Sequence, residues 1–240
     1  MKILSIGNSF STDAQRYLHE LAKHEGVEIR AVNLYIGGCS LRSHYLNMLD
    51  DNAAYDYEFN GENTGIKVSI RQALASADWD YITLQQASHH SDRYETYEPY
   101  LVPLADYVRK YCPTAKLLVH QTWAYEKDSK RLLEKMGYQA PEEMFSHIRE
   151  NYEKMAKAID AYATIPCGEA MLKASADGTV RVHRDTYHAS KALGRYLLAL
   201  CWYRVLTGKS VAENTFDAFD EPLTEEERRI ALNAVQEVLG

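Results

Sequence analysis

Short apolar runs alternate with stretches of helical periodicity along this 240-residue chain, and each run stops abruptly in glycine or polar residues. The runs are Lys2 to Gly7, Glu28 to Leu34, Asp80 to Gln85, Ala115 to His120 and Ala163 to Pro166. Short apolar segments bounded by turn chemistry read as buried strands. Between them, Thr12 to Glu25 carries Ala14, Tyr17, Leu18, Leu21 and Ala22 on one helical face, and Gly26 closes it. Leu41 to Leu49, Arg71 to Ala77, Pro99 to Tyr111, Pro141 to Tyr162, Ser190 to Leu206 and Thr224 to Leu239 read as further helices, the last with three glutamates in its first turn. Strands separated by helices pair in parallel, and helices then cover both sheet faces. The pattern therefore predicts an α/β fold, a three-layer α/β/α sandwich with a mostly parallel five-stranded sheet. No linker or repeat divides the chain, so residues 1–240 are expected to form a single domain.

Two segments stand outside the alternation. Residues 53–70 place Tyr55, Tyr57 and Phe59, then Ile66, Val68 and Ile70, on either side of Asn60-Gly61-Glu62-Asn63, the signature of an inserted β-hairpin. Residues 126–139 are charged and read as a surface excursion beside the strand ends. A turn is expected at Asp177-Gly178.

A net charge of -7 with no basic stripe argues against a nucleic-acid partner. No run reaches membrane-spanning length, and Met1-Lys2 leads straight into the first strand without a leader, which predicts a cytoplasmic protein with no membrane partner. Cys39, Cys112, Cys167 and Cys201 lack metal-type spacing and are expected as free thiols. The 18 tyrosines suit contact with sugars, since their rings stack on apolar surfaces and keep a polar tip. Oligomeric state is not encoded in any pattern of this kind.

In open α/β sheets, ligands bind at the carboxyl ends of the strands. Gly7-Asn8-Ser9, Gly37-Gly38, Gln85-Gln86 and Gln121-Thr122 all fall there, and Asp185 and His188 stand three apart before a late helix. Taken singly, each has a plain reading. Ser9 could be a helix cap, the glycines a tight turn, Asp185 a cap beside a surface histidine. Together they supply a hydroxyl nucleophile, an imidazole, a carboxylate to orient it, and N–H donors for an oxyanion. His89-His90 with Asp92 invites a metal reading, but adjacent histidines diverge in extended chain and no other ligands are spaced to join them. Cys39 beside Gly38 would permit a thiol nucleophile, although its turn position favours a wall role. His44, His120, Gln121, Trp123 and Tyr125 are candidates for the pocket wall, as are Asn8 and Gln86 for substrate binding.

Gly7-Asn8-Ser9-Phe10-Ser11 resembles the first block of the SGNH (GDSL-like) hydrolases, Gly38-Cys39-Ser40 is similar to their second, and Asp185-Thr186-Tyr187-His188 matches their Asp-x-x-His block. The resemblance implies a flavodoxin-like sheet and a serine esterase without metal or cofactor. Ser9 would be the nucleophile, His188 the general base and Asp185 the orienting acid. The Ser9 and Gly38 N–H groups would line the oxyanion hole. The family's third block, Gly-x-Asn-Asp, is replaced by Leu84-Gln85-Gln86-Ala87-Ser88. A glutamine amide can donate in place of that asparagine; Gln85 is preferred because it is closer to the strand end, alternation leaves Gln86 open, and Gln at this place is similar to carbohydrate O-acetylesterase branches. The expected substrate is a short acyl ester, such as an acetyl group on a carbohydrate. The competing expectation is a carbohydrate-binding or scaffold protein that kept the fold without activity.

Overall fold

The computed structural model describes residues 1–176 and 178–240. The turn expected at Asp177-Gly178 thus involves a residue, Asp177, that lies outside the described residues. Seven strands form one sheet: β1 (Lys2–Gly7), β2 (Arg30–Tyr35), β3 (Tyr55–Phe59), β4 (Glu62–Val68), β5 (Tyr81–Leu84), β6 (Lys116–His120) and β7 (Ala163–Ile165), in the order β4-β3-β2-β1-β5-β6-β7. The five strands read from the sequence are the parallel ones, and their spatial order, with β1 between β2 and β5, is the flavodoxin arrangement. The hairpin is no separate insertion. Its first strand pairs antiparallel with β2, Val32 opposite Phe59 and Tyr35 opposite Asp56, and so extends the same sheet by two strands.

Helices α1 (Ser9–Gln15), α2 (Leu18–His24), α3 (Leu41–Leu49), α4 (Ile70–Leu74), α5 (Leu101–Tyr111), α6 (Pro141–Ala158), α7 (Cys167–Ser175), α8 (Leu193–Thr207) and α9 (Glu225–Leu239) complete the layers. Helix α8 is buried on nearly every side from Leu193 to Leu206, which is why its sequence is apolar all round instead of striped. It packs against α1, α2, α7 and α9, while α3, α4 and α5 pack together. Thr224 and Glu227 close α9 with a reciprocal capping box. Among the described residues, no helix is long and apolar enough to cross a membrane.

The helix expected over Thr12 to Glu25 is two helices. The Arg16 carbonyl lies against Gly61 of the hairpin so closely that a Cβ there would overlap it, and the Tyr17 hydroxyl donates to the Lys191 carbonyl at 2.5 Å. These tertiary contacts fix the chain at Arg16–Tyr17 and break a pattern that is locally continuous. Its first segment is docked on the sheet by polar groups: Gln15 Nε2 donates to Ser5 Oγ at 2.6 Å, and Thr12 Oγ1 to Glu58 Oε2 at 2.8 Å. Such directional contacts set the rotation of α1 about its own axis, which apolar packing alone leaves loose. Rotation matters because α1 carries Ser9.

Candidate active site

Strand β1 ends at Gly7, where a Cβ would overlap Ser11 Oγ. Glycine lets the chain turn from strand to helix within two residues. Asn8, in extended conformation, caps α1: its Oδ1 accepts the Phe10 N–H at 3.0 Å. The cap is therefore Asn8, and Ser9, the residue the sequence also allowed as a cap, is the first residue of the helix with its hydroxyl released for other work.

Ser9 Oγ lies 2.8 Å from His188 Nε2, and His188 Nδ1 lies 2.7 Å from Asp185 Oδ2. The second carboxylate oxygen of Asp185 accepts the His188 N–H at 2.9 Å and the Tyr187 N–H at 3.4 Å. Partial burial alone would raise the Asp185 pKa. The hydrogen bonds from the His188 ring and from the two backbone amides outweigh it and hold the carboxyl below its usual range. An ionised Asp185 accepts from Nδ1–H, which leaves the Nε2 lone pair facing the serine hydroxyl. The loop holding this pair is supported from below: Trp123 Nε1 donates to the Tyr187 carbonyl at 2.8 Å, and the Trp123 ring stacks on Phe10 at 4.1 Å.

Gly38 sits at φ +63°, a conformation open to glycine, in the turn after β2. Among the described residues, neither the Ser9 N–H nor the Gly38 N–H meets an internal acceptor. Both residues line a cavity of about 300 Å³ that also contains His188. The far walls are Tyr35, Ser88, His89, Arg131 and Tyr187. Arg131 and Tyr35 were not anticipated. Arg131 comes from the charged excursion, a single irregular helical turn over Arg131–Met136, and only its place after β6 at the binding rim hinted at such a role. A larger hollow of about 580 Å³, bounded by Tyr125, Pro141, Met171 and His183, contains none of Ser9, Asp185 and His188.

Gln85 is placed differently from the expectation. Its Oε1 accepts from Ser11 Oγ and from His120 Nδ1 (2.8 Å), and its Nε2 donates to Asn8 Oδ1 at 2.9 Å. The side chain lies against Asn8 and is not among the residues lining the cavity, since Ser11, His120 and Asn8 engage its polar atoms. Gln86 is also committed elsewhere: Oε1 accepts the Leu41 and Ala87 N–H groups at 2.9 Å, and Nε2 donates to the Thr96 carbonyl at 3.0 Å. A chain of buried amides thus runs from His120 through Gln85 to Asn8, whose Nδ2 donates to the Cys39 carbonyl at 3.0 Å. It ties the ends of β1, β2, β5 and β6 together and fixes the two turns that carry Ser9 and Gly38.

Of the seven residues considered for the pocket wall or substrate binding, Asn8 alone borders this cavity. His44 is fully buried, stacked on Tyr55 and bonded to its hydroxyl at 2.9 Å. Gln121 accepts the Glu169 N–H at 3.2 Å at the start of α7. Trp123 braces the loop below His188, and the buried Tyr125 shares a 3.0 Å hydrogen bond with Ser88. His120, also fully buried, belongs to the amide chain. The His89 and His90 rings do not diverge, since their chain is turned and their centroids lie 4.2 Å apart, yet no group of three or more metal-ligating side chains occurs among the described residues. Cys39 Sγ and His44 Nδ1 do meet, at 3.5 Å, but burial pushes the thiol up to about 12 and the imidazole down to about 3. That pair stays neutral and lacks the thiolate a cysteine nucleophile requires. All four cysteines are free and buried.

The family model described as "Domain of unknown function (DUF4886)" matches residues 2–238. The chain belongs to the DUF4886 family. A DUF4886 protein from Bacteroides uniformis, whose crystal structure is known, is similar at 35% identity with a TM-score of 0.91, over 99% of this chain and 94% of that one. More distant likenesses show that the DUF4886 fold is the fold of GDSL-like hydrolases. A chain described as a GDSL-like lipase from Parabacteroides merdae is 15% identical with a TM-score of 0.58, over 87% of this chain and 96% of that one. Axe2, an acetyl xylan esterase from Geobacillus stearothermophilus, is 15% identical with a TM-score of 0.53, over 86% and 94%. No curated protein matches this DUF4886 sequence.

Proposed function

We propose that this DUF4886 protein is a serine esterase of SGNH type. The observation that carries the reading is the continuous hydrogen-bonded line Ser9–His188–Asp185, at 2.8 and 2.7 Å, opening into a cavity beside two unpaired backbone N–H groups. His188 Nε2 takes the Ser9 proton as Oγ attacks the ester carbonyl. The Ser9 and Gly38 N–H groups donate to the oxyanion that forms. Collapse of the tetrahedral intermediate expels the alcohol, which receives the proton from His188 Nε2. Water, deprotonated by His188, then attacks the acyl-Ser9 ester, and the second tetrahedral intermediate collapses to release the acid as His188 returns the proton to Ser9 Oγ. Asp185 stays ionised throughout and stabilises the imidazolium.

The cavity, about 300 Å³, is at the small end of ligand sites, which favours a short acyl group such as acetyl. An acetylated carbohydrate is the substrate class we favour, supported by the fold shared with an acetyl xylan esterase and by Tyr35 and Tyr187 in the wall. Gln85 enters this mechanism as the brace behind the oxyanion turns. A purely binding or scaffold role has no use for the unpaired N–H groups and the aligned imidazole. Hydrolysis of p-nitrophenyl acetate by wild type, with loss to background in Ser9→Ala and loss of fluorophosphonate labelling at Ser9, is the expected result. Equal rates in wild type and variant would refute it.

A further inference from the structure

The cavity is electrically unlike the molecule around it. The protein carries a net charge of -7, yet among the described residues no carboxylate lines the cavity and one arginine does. Arg16, Arg149, Arg181, Arg184 and Arg195 each hold an acidic side chain. Arg131 holds none; its guanidinium instead lies 3.9 Å over the ring centroid of Tyr187, the neighbour of the general base. Stacking engages the flat face of a guanidinium, the Tyr125 hydroxyl engages part of its edge, and the remaining edge donors can meet a planar anion. The neighbouring His89 is shifted toward the neutral form, first by burial and then by His90 and Arg131, so that Arg131 is the permanent cation of the wall. A cleft wall whose lining carries a cation and no carboxylate draws in anionic groups.

We propose that Arg131 is a specificity-determining residue that binds a carboxylate on the substrate, making the preferred substrate an acyl ester of an acidic alcohol, such as a uronic-type sugar or a hydroxy acid. The inference rests on the esterase reading of Ser9 and names its substrate class. The carboxylate would take the remaining edge N–H groups of Arg131 while the ester carbonyl sits between Ser9 Oγ and the Gly38 N–H. Loss of a hydrogen bond to a charged group lowers affinity by about tenfold to a hundredfold.

The test compares kcat/KM for 3- and 4-acetoxybenzoate with their neutral methyl esters, in wild type, Arg131→Gln and Arg131→Lys. Taking the charged-to-neutral ratio in each protein removes the intrinsic reactivity of the esters. That ratio should fall at least about tenfold in Arg131→Gln for one or both isomers, with Arg131→Lys between, because lysine keeps the charge and loses the fork. Added salt should depress the ratio in wild type and leave it flat in Arg131→Gln. Ratios that agree within about twofold across the three proteins for both isomers overturn the anion site while leaving the esterase intact. Hydrolysis of none of the esters by wild type overturns the esterase reading and this one with it.

Discussion

Replacing Gln85 with methionine separates a residue that braces the site from one that acts in it. Methionine nearly matches glutamine in length but offers no strong donor or acceptor, so three buried groups lose a partner: the Ser11 hydroxyl, His120 Nδ1–H and Asn8 Oδ1. Asn8 keeps the Phe10 N–H, and the Ser11 hydroxyl can rotate, whereas His120 has no second partner, since its Nε2 is already without one among the described residues. At about 1–3 kcal/mol for the stranded His120 N–H and about 0.5–1.5 kcal/mol for each of the other two lost hydrogen bonds, the loss is about 2–6 kcal/mol. For a chain of this length 1 kcal/mol moves the melting temperature by about 2–4 °C, so a drop of at least about 4 °C is expected. The assay pairs thermal and urea unfolding with kcat on p-nitrophenyl acetate. The brace reading expects a large stability loss and a drop in kcat that follows the loosening of the Ser9 and Gly38 turns. A Gln85→Met protein that keeps its stability within about 1 kcal/mol while kcat falls a hundredfold or more would refute it. That result would return Gln85 to the oxyanion.

Two further perturbations probe other parts of the site. Burial holds His44 and His120 down to about 3, so the unfolded chain binds their protons at a higher pH than the folded one. Their contribution is complete above about pH 6.5 and is lost as the pH falls toward 3, with a slope of up to about 1.4 kcal/mol per pH unit for each ring; urea titrations should show His120→Gln shedding one ring's share of that slope, and an unchanged slope would count against the buried neutral imidazole. Gly38→Ala strains a left-handed position by about 1–2 kcal/mol and displaces the N–H beside Ser9, so kcat on p-nitrophenyl acetate should fall by about tenfold or more; an unchanged kcat would remove Gly38 from the oxyanion hole.

The two clusters that combine a histidine with a nucleophile differ in one physical respect. Cys39 and His44 lie in the dry interior, where burial suppresses both charged forms. Ser9 and His188 meet at a cavity wall, with an ionised carboxylate behind the imidazole and 44% of the Asp185 side chain exposed. Transfer of a proton between Ser9 and His188 creates charge that water, Asp185 and the backbone donors stabilise. The interior offers the cysteine pair none of these.

The five parallel strands, the strand-end places of Ser9 and Gly38 and the shared loop of Asp185 and His188 were legible in the sequence because their causes are local. Apolar runs must be buried, glycine is demanded where the backbone turns left-handed, and Asp-x-x-His needs one loop to bring carboxylate and ring together. The hairpin was legible as a hairpin, but its place on the edge of the main sheet depends on which edge is left unpaired, a property of the assembled sheet. The break at Arg16–Tyr17 was invisible for the same reason: Gly61 and Lys191, distant in sequence, impose it. Gln85 shows the limit most clearly. A strand-end amide is recognisable, but whether it faces ligand or neighbour is decided by where Asn8, Ser11 and His120 present their polar atoms. Arg131 is the converse case, an ordinary charge in a charged segment until the fold lays it over Tyr187 in a cavity without carboxylates. Periodicity and turn chemistry act through a few neighbouring residues and can be read directly; hydrogen-bond partnership and the charge of a cavity are relations among distant residues, and only the packed chain establishes them.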